Sequence, residues 1–202
     1  MPVCGLFSYA LLKSGFLMKQ QSSASLATHA TAPSFTISLE TEAHHQTIEQ
    51  LHETVFGPGR FTRAAFRVRE QGSHDPELSF VATQPDGKMI GSVRLTWVTT
   101  SVSRSKGLLL GPLCVVPNLQ KQGVGKALVA KCVEAAKQVS ADYLMLVGDQ
   151  PYYGPLGFDV VAKRNVLMPG PVDLNRLLVC PLGGFDPSGM AGLISHSDIL
   201  PN

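Results

Sequence analysis

The stretch "NLQKQGVGKALVAK", residues 118–131, decides the fold of this 202-residue chain. Gly123 and Gly125 stand where a segment begins whose apolar residues, such as Val124 and Leu128, recur at helical spacing. The first N–H groups of a helix lack partners and lie at the positive end of its dipole, so glycines there let an anion contact the main chain. The alternative is that the glycines only permit tight packing of the helix against the preceding strand.

Two common nucleotide-binding loops do not fit this stretch. A P-loop requires glycine at position 120 and serine or threonine at 127, where this chain has Gln120 and Ala127. A dinucleotide-binding loop requires a further glycine at position 128, which is Leu128. The pattern that remains is Gln-x-x-Gly-x-Gly over residues 120–125, after an apolar strand that ends in Val-Pro.

Apolar periodicity predicts the elements on either side of this helix. The predicted helices are 43–56, a short basic one at 60–70, and one starting near Val124 with a buried stripe that ends at Val139. The predicted strands are 35–39, 77–83, 88–98, 107–116, 142–147, 158–161 and 175–180, with an Asp-Gly hairpin turn at 84–87 and a bulge at Gly111-Pro112. The order strand, helix, strand around the central helix predicts a parallel pair inside a mixed sheet.

A second motif extends the pattern. "GDQPYYGPLGF", residues 148–158, places Tyr153 four residues before Gly157-Phe158. With the Gln-x-x-Gly-x-Gly turn and the "GPLCVVP" strand, the chain resembles the GNAT acetyltransferases, in particular a bacterial branch of N-acetyltransferases. The resemblance implies an α/β fold whose mixed, mostly antiparallel sheet has a splayed parallel central strand pair flanked by helices.

The resemblance covers residues 34–180 and divides the chain. Residues 1–33 contain no acidic residue and are rich in Ser, Thr and Ala, so we expect a disordered leader, or translation that begins at Met18. Residues 181–202 are expected to form a C-terminal tail outside the domain.

What the resemblance implies about function is acetyl transfer from acetyl-coenzyme A to an amine. The turn grips the pyrophosphate, and strand residues pair with the pantetheine arm, so the implied cofactor-binding residues are Leu113, Cys114, Val115, Gln120, Lys121, Gln122, Gly123, Val124, Gly125 and Lys126. A main-chain N–H near Cys114 or Val115 is expected to stabilise the thioester oxygen. Tyr153 takes the position of the general acid, although both it and Tyr152 are also explained as packing aromatics.

The base that would deprotonate the acceptor is not assigned by the sequence. Asp149, Glu77 and Glu70 are the acidic candidates, and loss of the proton to water is equally plausible. Asp149 precedes Gln150-Pro151 and is expected to cap a short helix instead. Cys114 is expected to be a small buried apolar residue and not a nucleophile.

The composition of the chain limits the kinds of partner that it is expected to bind. The 17 basic and 15 acidic residues leave a net charge of +2 without basic runs, which argues against nucleic acid. No apolar run is long enough to cross a membrane, and the four scattered cysteines show no metal spacing and favour a reduced, cytoplasmic protein. We expect no metal, a small-molecule amine acceptor, and a monomer or homodimer.

A non-catalytic module of the same fold that binds coenzyme A, as a sensor or an interaction partner, is the main alternative, and activity with an amine separates the two. A serine hydrolase is disfavoured because the chain contains no Gly-x-Ser-x-Gly sequence.

Overall fold

The computed structural model describes residues 34–161 and 165–199, so the expected leader at 1–33 lies outside the described residues. The helices of the described chain are α1 (His45–Phe56), α2 (Ala64–Arg69), α3 (Val124–Gln138) and α4 (Gln150–Tyr153). Its strands are β1 (Thr36–Leu39), β2 (Asp75–Thr83), β3 (Met89–Thr100), β4 (Lys106–Val115), β5 (Tyr143–Val147), β6 (Asp159–Val160), β7 (Val166–Leu167), β8 (Leu177–Pro181) and β9 (Gly192–His196). The predicted elements are present, with small differences at their ends.

The main sheet has the order β1-β2-β3-β4-β5-β8-β6. Every neighbouring pair in this order is antiparallel except β4 and β5, which run parallel because α3 crosses between them. The last residues of β3 also pair with β9, and β9 pairs in parallel with β7. This confirms the predicted mixed, mostly antiparallel sheet with a central parallel pair.

Strand β4 is buried on both faces, as its continuous apolar run predicts. Leu108 and Leu110 belong to one core cluster with Leu128 of α3. Leu109, which points the other way, belongs to a second cluster with Val68 of α2. The two helices therefore cover opposite faces of the sheet.

The helices agree with the predicted amphipathic stripes apart from one residue. The stripe of α3 is buried from Val124 to Ala135, but Val139 is 41% exposed because α3 ends at Gln138. Within the described ranges no helix has the length and apolar character needed to span a membrane.

The domain extends beyond the boundary expected at residue 180. β2 leaves β3 after Leu95, and β9 then pairs with the same edge, with His196 opposite Val98. Ile194 and Met190 are buried in the same core cluster as Val98. The segment expected to be a tail thus adds β9 to the sheet and contributes Met190 and Ile194 to the core.

Candidate active site

The central parallel pair separates soon after it forms. β5 pairs with β4 at Leu108 and Leu109, while its other edge pairs with β8 along its whole length. From residue 110 onwards the edge of β4 that faces β5 has no strand partner among the described residues. The gap lies between the carboxyl-terminal halves of the two strands.

A bulge in β4 accompanies this separation, as the sequence predicts. Val93 and Leu95 of β3 pair with Leu113 and Leu110, so the two residues Gly111-Pro112 face a single residue of β3. Pro112 has no N–H to donate to a ladder, and Gly111 has φ +131, a backbone conformation that favours glycine.

The residues predicted to bind the cofactor are brought together at the far end of β4. A 3-10 turn (Pro117–Leu119) leads into the predicted loop of residues 120–123, in which Lys121 has φ +63 and Gly123, the N-cap of α3, has φ +91. Gln120 closes the loop onto the strand, since its Nε2 donates to the carbonyl of Val115 at 3.3 Å.

The N–H groups of this loop are available to a ligand. None of the main-chain N–H groups from Lys121 to Lys126 donates a hydrogen bond to any atom of the described chain, and the first intrahelical bond runs from the N–H of Ala127 to the carbonyl of Gly123. Unpaired N–H groups at the positive end of a helix form a site for an anion.

Glycine is favoured at positions 123 and 125 for different structural reasons. A Cβ at Gly123 would contact nothing within 4 Å, so the left-handed φ alone requires glycine there. A Cβ at Gly125 would lie 2.6 Å from the hydroxyl oxygen of Tyr152 and 3.6 Å from Val115 Cγ2. In this structure the close neighbour of Gly125 is therefore the Tyr152 hydroxyl, a contact that the sequence did not suggest.

Leu113, Cys114 and Val115 pair with β3 on one edge and border the gap on the other. The Cys114 thiol is buried, and burial raises its pKa to about 12 although three nearby arginines act in the opposite direction. Cys114 is thus a protonated, apolar residue at neutral pH, which agrees with its expected packing role.

Tyr153 lies on the β5 side of the gap. Its ring meets those of Tyr152 and Phe158 edge to face, with centroids 4.8 and 5.9 Å away, and a Cβ on Gly148 would clash with it at 2.3 Å. Burial, followed by the nearby Tyr152 and Asp149, raises the pKa of Tyr153 to about 12. Its hydroxyl therefore stays protonated at neutral pH.

A cavity of about 660 Å³ opens from the gap on the side of α1 and α2. Its walls are these two helices, the β4 bulge, the end of β5 and the segment 171–176. Leu113 and Tyr153, two of the predicted site residues, line it together. The loop of residues 120–123 and the cavity thus lie at opposite ends of the unpaired part of β4.

A buried ion network supports the α1 wall of the cavity. Arg94 of β3 donates from Nε and Nη2 to Glu40, at 2.7 Å for the shortest bond, and from Nη1 to Glu49 of α1 at 2.8 Å. His74 Nε2 lies 3.3 Å from Glu40 Oε1. Glu40 and Arg94 are buried, whereas Glu49 borders the cavity. Arg94 therefore fixes the Glu49 carboxylate at the cavity wall.

His52 also lines the cavity and is buried. Its Nδ1 lies 3.7 Å from Glu49 Oε1, and its Nε2 has no hydrogen-bond partner among the described residues. Burial lowers the pKa of His52 to about 4, against a smaller opposite influence of Glu49. The imidazole is therefore neutral at pH 7, and its Nε2 is a buried ring nitrogen without a partner among the described residues.

Of the three acidic candidates for the base, Asp149 lines the cavity and the others do not. Glu70 pairs with Arg67 on the surface, and Glu77 lies exposed on β2. Asp149 occupies the N-cap of α4, but its carboxylate lies 3.1 Å from Arg176 Nε and makes no capping hydrogen bond. The expected capping role of its side chain is therefore wrong.

Groups of three or more histidine, cysteine or acidic side chains arranged to hold a metal ion are absent from the described part of the chain. That description covers residues 34–161 and 165–199.

The family model of the GNAT acetyltransferases matches residues 45–158, more than half of the chain. The chain therefore belongs to the acetyltransferase (GNAT) family. It is 26% identical over 134 residues to YjhQ of Escherichia coli K12, an uncharacterised N-acetyltransferase, an alignment that covers 65% of this chain and 74% of YjhQ. It is also 23% identical over 121 residues to the uncharacterised N-acetyltransferase YhbS of the same organism, covering 60% and 72% of the two chains.

Solved structures agree with this assignment. The crystal structure of Escherichia coli YhbS in complex with CoA has a TM-score of 0.69 at 22% identity and covers 84% of this chain and 94% of its own. A GNAT family acetyltransferase from Brucella melitensis in complex with acetyl-CoA has a TM-score of 0.61 at 21% identity, covering 83% and 99%. These similarities confirm the predicted GNAT fold.

The sequence missed the residues that shape the cavity. The cavity is lined by Glu49, His52, Arg69 and Arg94. In the sequence these residues appear only as polar positions on a predicted helix or strand, which does not identify them as a site. A polar residue in the middle of an apolar strand was the one usable signal, and it applies to Arg94.

Proposed function

We propose that this protein is an acetyl-CoA-dependent N-acetyltransferase that transfers the acetyl group to the amine of a small molecule. The observation that carries the proposal is the gap between β4 and β5, with unpaired N–H groups at one end and a cavity lined by Tyr153 at the other. Two relatives of the same fold were crystallised with CoA or acetyl-CoA, which supports the same cosubstrate here. A cavity of about 660 Å³ has the size of a small-molecule site, which favours a small acceptor.

In the proposed complex the main chain holds the cosubstrate. The N–H groups of Lys121–Lys126 and the dipole of α3 bind the pyrophosphate. The edge of Leu113–Val115 that lacks a strand partner hydrogen-bonds the amide groups of the pantetheine arm. This arrangement directs the thioester toward the Gly111-Pro112 bulge and the cavity.

Two proton movements complete the proposed transfer. The attacking amine forms the new C–N bond, the C–S bond breaks, and Tyr153 donates its proton to the departing sulfur. The ammonium of the acceptor loses its proton to water, because the pKa of His52 lies too far below neutrality for an effective base. Glu49 and Asp149 are each held by an arginine and serve as partners of the acceptor.

The proposal is tested by two measurements on the full chain. Acetyl-CoA at ~100 times its dissociation constant should stabilise the fold by ~2.7 kcal/mol and raise the melting temperature by several degrees. A panel of amino acids, polyamines, aminoglycosides and simple amines should contain an acceptor that releases free CoA thiol. No melting shift with acetyl-CoA or CoA would refute the proposal, and binding without turnover on any amine would favour a non-catalytic coenzyme A-binding module.

A further inference from the structure

Five arginines line the cavity, and they differ in whether a carboxylate lies beside them. Arg94 and Arg176 each form ion pairs. Arg60, Arg63 and Arg69 have no carboxylate within 4.0 Å anywhere in the described ranges. The cavity therefore carries excess positive charge, which favours an anionic ligand.

Two of these three guanidinium groups rest on aromatic rings. Arg60 lies 4.2 Å from the centroid of Phe61, and Arg63 lies 4.8 Å from that of Phe56. Such stacking partly satisfies a cation. Arg69 has no ring contact of this kind within the described residues, so it is the member of the three that most needs a counter-charge.

Arg69 is held at the β4 bulge. Its Nη1 donates to the carbonyl of Gly111 at 3.0 Å, and this is its one hydrogen bond to the described residues. Burial, followed by the neighbouring Arg94 and Arg63, lowers the pKa of Arg69 to about 10, so it remains charged at pH 7. Removing a cation from water without a counter-charge is costly, and a bound anion would offset that cost.

The phosphates of the cosubstrate do not supply this anion. Gly111 and Val115 lie four positions apart along β4, a distance of about 13 Å. The phosphate-binding loop begins only at Gln120, beyond the end of β4. Arg69 thus lies at the opposite end of the gap from the loop, on the side where the acceptor enters.

The cavity also presents a carboxylate to an ammonium group. Glu49 Oε1 accepts from Arg94 at 2.8 Å, whereas Oε2 makes no hydrogen bond to the residues that the structure describes. A cationic guanidinium and an anionic carboxylate in one cavity match a ligand that carries both charges.

We propose that Arg69 binds an oxyanion of the acceptor, so that the substrates are amines that also carry a carboxylate or a phosphate, such as free amino acids or phosphorylated amino alcohols. This inference rests on the proposed function, since it names the substrate class of the same site. The fork of donors on a guanidinium fits both oxyanions, and Arg69 has Nε and Nη2 left to form it.

The test compares acceptors that differ only in the oxyanion. L-phenylalanine is assayed with its amide and with phenethylamine, L-lysine with its amide and cadaverine, and O-phosphoethanolamine with ethanolamine, each for kcat/KM of thiol release. We expect at least one oxyanion-bearing amine to exceed its neutral matches by roughly ten- to a hundredfold, the usual worth of a charge-assisted hydrogen bond. The amino acid and phosphate series show which oxyanion is preferred.

The variants are Arg69→Gln, Arg69→Lys and, as a matched control, Arg67→Gln. Arg67 lies on the same helix but is exposed and paired with Glu70 outside the cavity. Arg69→Gln should reduce the preference for oxyanions to near unity, Arg69→Lys should restore part of it, and Arg67→Gln should keep it. If Arg69→Gln lowers kcat/KM equally for amines with and without an oxyanion, the proposal is overturned, because Arg69 would then act on the thioester and not on the acceptor.

If no amine in the panel reacts, a binding measurement tests whether Arg69 binds an oxyanion. The melting shift of the full chain is measured with N-acetyl-L-phenylalanine, N-acetyl-L-lysine and N-acetyl-O-phosphoethanolamine against their neutral counterparts, with and without CoA. A larger shift for the anions that disappears in Arg69→Gln supports the oxyanion site. Equal shifts, or none, refute it. The proposed function is refuted separately, by the absence of a melting shift with acetyl-CoA, because the comparison of N-acetylated compounds requires no acetyl transfer.

Discussion

The buried pair of Glu40 and Arg94 gives a prediction whose size follows from the structure. Burial alone would raise the pKa of Glu40, but hydrogen bonds from His74 and Arg94 lower it from its ordinary value of 4.5 to about 2. At about 1.4 kcal/mol per pKa unit, this difference contributes about 3 kcal/mol to the free energy of unfolding at neutral pH. The sign follows from linkage: the contribution is fully present above pH 4.5 and is lost as the pH falls toward 2.

Glu40→Gln removes this contribution and leaves Arg94 buried with one carboxylate fewer. We expect the variant to lose about 3–5 kcal/mol of stability at pH 7, as for other buried pairs broken on one side. The difference between wild type and variant should then shrink as the pH falls from 4.5 to 2, because the wild-type carboxyl becomes protonated over that range.

The assay is urea denaturation of both proteins at pH 7, 5, 4 and 3, with Glu42→Gln as the control. Glu42 is two residues away and exposed, so its substitution changes the net charge equally without touching the buried pair. A loss below about 1 kcal/mol at pH 7, or a difference that is independent of pH, would refute the reasoning.

Three further predictions concern the loop, the acid and the last strand. Tyr153→Phe should slow thiol release by ~10²–10⁴-fold with little change in acetyl-CoA titration, and loss of both together would make Tyr153 a packing residue. Gly125→Ala should weaken acetyl-CoA binding, and it should still do so in a Tyr152→Leu background, which lacks the hydroxyl that a Cβ at residue 125 would meet. Recovery of acetyl-CoA binding in the double variant would contradict a role for Gly125 in admitting the pyrophosphate. Ile194 is fully buried on β9, so Ile194→Ala should lower the free energy of unfolding by about 2–5 kcal/mol in urea denaturation. Leu193 is 38% exposed on the same strand, so Leu193→Ala should lower it little. Equal losses would argue against the position of β9.

The parts of the fold that the sequence predicted depend on local chemistry. The Gly-Pro step in β4 removes a ladder donor wherever it occurs, so a bulge there is predictable without knowledge of the neighbours. The strand–helix–strand order around α3 likewise favours a parallel pair, because parallel strands require a crossover connection and a helix is its usual form.

The last strand was missed because its partner is far away in sequence. Residues 181–191 are rich in Gly and Pro, which is typical of a linker. β9 pairs with the end of β3, about a hundred residues earlier, at an edge that β2 leaves free. Local periodicity carries no information about that edge, so a short strand such as 192–196 cannot be distinguished from a tail.

The same distinction separates the two halves of the candidate site. The loop proposed to bind the pyrophosphate is a contiguous run whose requirements, a left-handed Gly123 and unpaired N–H groups, are met by the main chain. The cavity is assembled from residues such as Glu49 and Arg94, which lie 45 positions apart and meet only in the folded chain. The loop was therefore predictable from a motif and the cavity was not.

This division also explains what sequence similarity can transfer within the family. Recognition by main-chain N–H groups tolerates most side-chain substitutions outside the glycines, so it can persist among relatives at 23–26% identity. Recognition by side chains, as we propose for Arg69, changes with a single substitution, and such a substitution would alter the binding of the acceptor without altering the binding of the cosubstrate. For this chain we therefore expect the acceptor to be selected by the charges that α1 and α2 place around the β4 bulge, where Arg69 lies without a carboxylate among the described residues.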